Sequence, residues 1–205
     1  MKETLPITHF HLGKFETAGG AIMDLRNPDP TKISITDIAI GLSHIVRFGG
    51  QIHVPYTVAH HSIIMSYMVP PEYALYALLH DAQEAYIGDV IKPLKEILDP
   101  VYGPLEVIWE NAISVRFQLQ WDKTRKQEIK AWDRYMLEIE HNKVRKGLPL
   151  DVAFLNKDTV LPALQNIVSN DTLTSLKSFR NESTARCFVY RFHDILIGYN
   201  HNSNE

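Results

Sequence analysis

At 205 residues the chain is long enough to bury a core of its own, and 45% hydrophobic with 22% charged residues is the balance of an ordinary water-exposed globular protein. A formal net charge of -3 argues against wholesale binding to nucleic acid. Cys187 is the single cysteine, which excludes an internal disulfide and a thiolate zinc cluster and fits a reducing setting.

The first residues, Met1-Lys2-Glu3-Thr4-Leu5-Pro6, lack the basic-then-apolar order of a signal peptide. No window approaches the roughly 20 apolar residues that span a bilayer. The expectation is a soluble, cytoplasmic protein with neither membrane nor nucleic-acid partners. Ten histidines are many for this length and make a metal site worth seeking.

Residues 1–33 read as irregular, with a turn at Asn27-Pro28-Asp29-Pro30 and room for a small hairpin near Ala21-Ile22-Met23. Ser34 or Thr36 caps a first helix bearing Ile38, Leu42 and Ile45, which Gly49-Gly50 ends. A second helix covers about Thr57 to Met68, stopped by Pro70-Pro71, and a third about Glu72 to Tyr86. Residues from Gly88 to Pro104 read as a loop or short-helix connection before a fourth helix at about Leu105 to Phe117. The fifth, the longest, covers about Lys123 to Lys146. Residues 150–170 are ambiguous. Ala185, Phe188, Val189, Phe192, Leu196 and Tyr199 space a closing helix, followed by a frayed tail from Asn200 to Glu205. The expected fold is one all-α helical bundle over residues 1–205, with 150–205 as a C-terminal helical extension.

Several polar residues interrupt these apolar stripes. His80-Asp81 interrupts the apolar run of the third helix, and a neutral imidazole beside a carboxylate is a common pair of ligands for a transition metal. His60 and His61 lie on the second helix, and periodicity does not choose between them. Asp133 sits among Ile129, Met136 and Leu137 on the fifth, where a lone carboxylate costs several kcal/mol to desolvate. It requires either a cationic neighbour or a metal. Glu140, seven residues later, returns to the same face. His44, His53 and His141 read as structural or surface residues, and Trp109, Trp121 and Trp132 as core or subunit contacts.

Taken together, a histidine, a later His-Asp pair and a distant aspartate resemble the H…HD…D signature of HD-domain metal-dependent phosphohydrolases. Arg47-Phe48-Gly49-Gly50 resembles the Arg-aromatic segment before the first metal histidine, and Tyr56-Thr57-Val58-Ala59-His60-His61-Ser62 resembles that histidine's helix. There the ligand precedes Ser, which selects His61. His80-Asp81-Ala82-Gln83-Glu84, Gly88-Asp89 and Lys92-Pro93-Leu94-Lys95 resemble the subgroup that acts on deoxynucleotides, comprising bacterial 5′-deoxynucleotidases and phage dATP triphosphohydrolases. The resemblance extends from about Asp24 to Glu140.

The resemblance implies a single HD-domain bundle with His61, His80, Asp81 and Asp133 as metal ligands. Cobalt, manganese, nickel, zinc or iron suits such ligands, and magnesium suits the substrate phosphates. It implies Glu84 as the acid/base residue, with Lys95, Lys92 and Arg47 neutralising phosphate charge. Phe48 would flank the sugar or base, where relatives often carry tryptophan, and Asp89 would bind the sugar 3′-hydroxyl and exclude a 2′-hydroxyl. The expected activity is hydrolysis of dNTPs to deoxynucleoside and triphosphate, with a 5′-deoxynucleotidase acting on dNMPs or a non-catalytic nucleotide-binding regulator as alternatives. A homo-oligomer, dimer or hexamer, is expected from the same resemblance.

Overall fold

The computed structural model describes residues 13–53, 56–147 and 181–202. The ambiguous segment 150–170 lies outside these residues, as do 1–12 and the end of the expected tail. The described chain is mainly α-helical, with a two-stranded hairpin near its start.

In the hairpin, β1 (Lys14–Glu16) pairs antiparallel with β2 (Ile22–Asp24), placing Phe15 opposite Met23. It is tied to the first helix, α1 (Ile35–His44), by a buried carboxylate. Asp37 accepts hydrogen bonds from Thr17 Oγ1 at 2.9 Å and from the Gly19 amide at 2.7 Å. Ser34 caps α1 by accepting from the Thr36 amide.

Helix α1 stops at His44 instead of running on to Gly49-Gly50. Its continuation is diverted into backbone pairing with the segment before the next helix. The Arg47 amide donates to Tyr56 O, and the Val58 amide to Ile45 O. Phe48, Gly49 and Gly50 then take left-handed backbone angles, φ 59°, 61° and 75°. For Phe48 this is a strained choice that glycine makes without cost.

Helix α2 (Val58–Met68) starts at a capping box, with Thr57 accepting from the His60 amide and the His60 ring accepting from the Thr57 amide. Every residue from Val58 to Ser66 is buried. A helix enclosed on all sides has no polar face, which is why periodicity does not separate His60 from His61.

The expected third helix is broken in two, α3 (Ala74–Leu79) and α4 (Glu84–Ile87). Between them the amides of Ala82, Glu84 and Ala85 bond three residues back, to Leu79, Asp81 and Ala82. This tightening re-aims His80 and Asp81 relative to a regular helix. The reading of Gly88 to Pro104 as a connection is corrected as well. Helix α5 (Lys92–Phe117) is continuous for 26 residues, with Pro100 and Pro104 inside it. Both prolines are exposed, so water reaches the carbonyls that lose an intrahelical donor.

Helix α6 (Lys123–Asn142) begins at Asp122, which accepts from the Arg125 amide, and gives way to a 3-10 turn at Val144–Lys146. The last helix, α7 (Asn181–Asn202), takes in the start of the expected tail. It is clamped to α2 by Arg191, which donates to Ser66 Oγ at 3.1 Å and Ser66 O at 2.9 Å.

Two close approaches hold α4 in place. Trp109 of α5, fully buried, stacks on Tyr86 of α4 with ring centroids 4.3 Å apart and donates to Leu25 O at 3.1 Å. On α4's other side, a Cβ at Gly41 of α1 would stand 2.8 Å from Ala85 O and 2.9 Å from its Cβ. Gly41→Ala is therefore expected to cost about 1–3 kcal/mol by overpacking, read by urea denaturation. A loss under about 0.5 kcal/mol, the scale of a neutral surface change, would show slack between α1 and α4.

Candidate metal centre

Three parts of the chain meet at one point. Helix α2 delivers His61, which is fully buried. The tight turn between α3 and α4 delivers His80 and Asp81, and α6 delivers Asp133. His61 Nε2 lies 3.2 Å from His80 Nε2, and His80 Nε2 lies 3.1 Å from Asp81 Oδ2. These donor atoms of His61, His80 and Asp81 lie within 4.8 Å of one another, so the trio can hold a metal ion. Asp133 Oδ1 approaches the same imidazoles, 3.3 Å from His61 Nε2 and 3.9 Å from His80 Nε2. Donors each about 2.1 Å from one ion stand about 3.0–3.4 Å apart at neighbouring vertices of its coordination shell. Three of the separations fall on that range, and the longer ones need only small closure.

The protonation pattern adds to the fit. His80 Nδ1 is 2.8 Å from Ala77 O, which can only accept, so Nδ1 carries the proton and Nε2 a lone pair. His61 Nδ1 is 2.7 Å from Glu140 Oε1, with the same consequence. In the neutral imidazoles that a metal would bind, two lone pairs thus face each other beside two carboxylate oxygens. That cluster of acceptors calls for a positive charge in its middle. The demand is visible in His61 itself. Burial and the Arg47 guanidinium push its pKa down, yet Glu140 and Asp133 outweigh them and lift it to about 9. The field that favours a proton there favours a metal cation.

The carboxylates are charged to match. Burial acts to raise Asp81, but His80, His61 and Arg47 hold it well below the usual carboxylate range. Asp133 is also lowered, by His61 and His80 against the opposing effect of burial. Glu84, at the start of α4, behaves oppositely. Burial, followed by the nearby charges of Asp81 and Asp89, raises it well above the ordinary value. Its Oε2 is buried without a hydrogen-bond partner among the described residues. The surroundings of Glu84 therefore favour its neutral form, while those of Asp81 favour the carboxylate.

The remaining expected residues are distributed less simply. Arg47 is buried, donating from Nε to Glu140 Oε2 at 3.1 Å, with its terminal nitrogens 3.0 Å from Glu140 Oε2 and 3.6 Å from Asp81 Oδ2. It braces carboxylates instead of standing open to a phosphate. Lys95 pairs with Glu106 at 2.6 Å and lies over the Tyr102 ring. With Lys92, Asp99 and Tyr102 it lines a cavity of about 260 Å³ along α5. Asp89 is half-buried, raised by burial and by Asp81. Phe48 is half-buried next to Arg47, whose guanidinium carbon is 5.7 Å from the ring centroid. Glu140 was not among the expected site residues. Its only signal in the sequence is its spacing of seven from Asp133.

The chain is 33% identical over 163 residues to Uncharacterized protein YfdR of Escherichia coli (strain K12), a match covering 80% of this chain and 84% of YfdR. The chain belongs to the YfdR family. A second relative, Uncharacterized protein RCAP_rcc00048 of Rhodobacter capsulatus, is 33% identical over 136 residues, covering 61% of this chain and 69% of that protein. No protein-family model matches the chain. Neither relative's name states an activity, so in this YfdR-family member the chemistry is argued from the donor set.

Proposed function

We propose that this chain is an HD-type metal-dependent phosphohydrolase that cleaves the 5′-phosphoester bond of deoxynucleotides. The observation supporting this most strongly is the convergence of His61, His80, Asp81 and Asp133 beside the buried carboxyl of Glu84. A divalent ion of the cobalt, manganese, nickel, zinc or iron kind, held by these four, would polarise a phosphoryl oxygen and lower the pKa of a bound water from 15.7 towards about 7.

The chain's own residues supply the rest. Glu84, whose neutral form is favoured by burial and by Asp81, can give a proton to the leaving 5′-oxygen. Lys95 and Lys92 can offset phosphate charge along α5, and Asp89 can accept from the sugar 3′-hydroxyl. Two lysines point towards a triphosphate. However, Glu106 already compensates Lys95, and Glu140 and Asp81 compensate Arg47. Among the described residues that balance supports the less charged dNMP over the dNTP, with orthophosphate as the released product and magnesium for the phosphates dispensable. A regulator that binds without turnover would have no use for an unpartnered buried carboxyl, which costs stability. Ile97 and Val101 of α5, 76% and 70% exposed, give apolar surface for the homo-oligomer expected under this reading.

The test is hydrolysis of a panel of dNMPs, dNTPs and their ribonucleotide counterparts with manganese, cobalt and zinc, scoring orthophosphate against triphosphate release. Orthophosphate from dNMPs is expected. Equal turnover of ribonucleotides would remove the role given to Asp89, and no hydrolysis with any ion would end the proposal.

A further inference from the structure

We infer that Glu140 is a positioning residue for the metal centre, fixing the proton of His61 on Nδ1 so that Nε2 is presented to the ion. The inference rests on the metal-dependent reading above for its ion, and on hydrogen bonds for its geometry. Glu140 is fully buried in the second turn after Asp133, on the same face of α6. One oxygen, Oε1, accepts from His61 Nδ1 at 2.7 Å. The other, Oε2, takes the Nε and a terminal nitrogen of Arg47 at 3.1 and 3.0 Å. Both oxygens are committed, so the carboxylate cannot rotate away from the imidazole.

The two metal histidines solve one problem by different means. His80 stands in the tight turn between α3 and α4 and donates from Nδ1 to the carbonyl of Ala77. His61 lies inside α2, where neighbouring carbonyls are taken up by helix bonds, so its acceptor comes from another helix. The consequence is that α6 brings both a ligand, Asp133, and the group that aims a ligand of α2. An anionic partner also makes the imidazole a stronger electron donor at Nε2, an effect whose removal typically costs 10–100-fold in metal affinity.

Removing Glu140 alone would orphan Arg47 in the interior. The test therefore uses Glu140→Leu combined with Arg47→Met, which replaces the buried pair with apolar side chains, a change often neutral for stability. Titrating Mn2+ calorimetrically into the metal-free full chain reports affinity, and ¹⁵N spectra of the metal-free chain, recorded above the His61 pKa of about 9, report which nitrogen of the neutral imidazole carries the proton. The expected results are a folded double variant binding Mn2+ about 10–100-fold more weakly, and a His61 proton no longer confined to Nδ1. Arg47 also braces Asp81, so Glu140→Gln, which keeps Arg47, is the variant that assigns the weakening to Glu140. Glu140→Gln keeps an acceptor but drops the charge, and is expected to fall between the two. It carries the affinity test if the double variant fails to fold.

Unchanged affinity in whichever variant folds would overturn the inference while leaving the metal centre standing. A wild-type chain that binds no Mn2+, Co2+ or Zn2+ would overturn the metal-dependent reading itself. In that event, confinement of the His61 proton to Nδ1 in the wild type still supports the positioning role of Glu140, and its absence overturns that too.

Discussion

Under the proposed phosphohydrolase function, replacing Asp133 with alanine is expected to lower deoxynucleotide hydrolysis by at least about 10²–10³-fold, the scale of deleting one electrostatic group from a reacting centre, with the fold intact. The first half follows from position. Asp133 is the donor that α6 contributes, 3.3 Å from His61 Nε2, and no nearby residue of α6 can replace it without moving the helix. The second half follows from exposure. Its side chain is 38% exposed, and losing it gives up attraction to His61 and His80 while relieving repulsion with Asp81 and the cost of its burial. The stability change should stay within about 0.5 kcal/mol, as for other partly exposed substitutions. Thermal denaturation and turnover measured on the same preparation separate the two effects. A folded Asp133→Ala protein with wild-type turnover would reduce the centre to His61, His80 and Asp81 and remove α6 from the chemistry.

The largest stability effect is expected at Trp109. Its indole is fully buried, stacks on Tyr86, approaches Phe15 of the hairpin at 6.2 Å and donates to Leu25 O. Truncation to alanine removes the packing of three elements at once, with an expected loss of about 3–5 kcal/mol. That is a large share of the ~5–15 kcal/mol that separates folded from unfolded states. Trp109→Phe keeps a ring against Tyr86 but leaves Leu25 O without its donor, so about 1 kcal/mol is expected there. Urea denaturation of the two variants gives both numbers. A loss under about 1 kcal/mol for alanine, below the range of large-to-small core changes, would mean that α5 is not what holds the hairpin and α4 together. Because α4 carries Glu84, the proposed activity should fall before global unfolding is reached.

Much of this arrangement was legible in the residues, for physical reasons. Ser34, one of the two candidates for the start of α1, is a side chain that satisfies a helix amide, and it acts as the cap. Asp133 stood out because a carboxylate within an apolar stripe demands a counter-group, and it lies against two imidazoles. Other features were hidden because they depend on distant partners. The choice between His60 and His61 is hidden from periodicity because α2 is buried on every side. Arg47 looked like an open phosphate ligand because its partner Glu140 lies 93 residues away in the chain. Pro100 and Pro104 read as helix breakers, yet on an exposed stretch of α5 their lost hydrogen bonds are replaced by water. The break at His80 and Asp81 was invisible because Leu78, Leu79 and Ala82 keep helical spacing through it.

The donors of the centre are scattered in sequence: His61, His80, Asp81 and Asp133. In the unfolded chain only His80 and Asp81 remain neighbours, so a cation that prefers all four recognises the native arrangement and little else. By mass action such an ion also acts as a thermodynamic clasp. At a hundred times its dissociation constant it would add about 2.7 kcal/mol to the native state, more than capping or a single hydrogen bond contributes. The abundance of the folded protein would then follow the supply of free metal, even where no substrate is present.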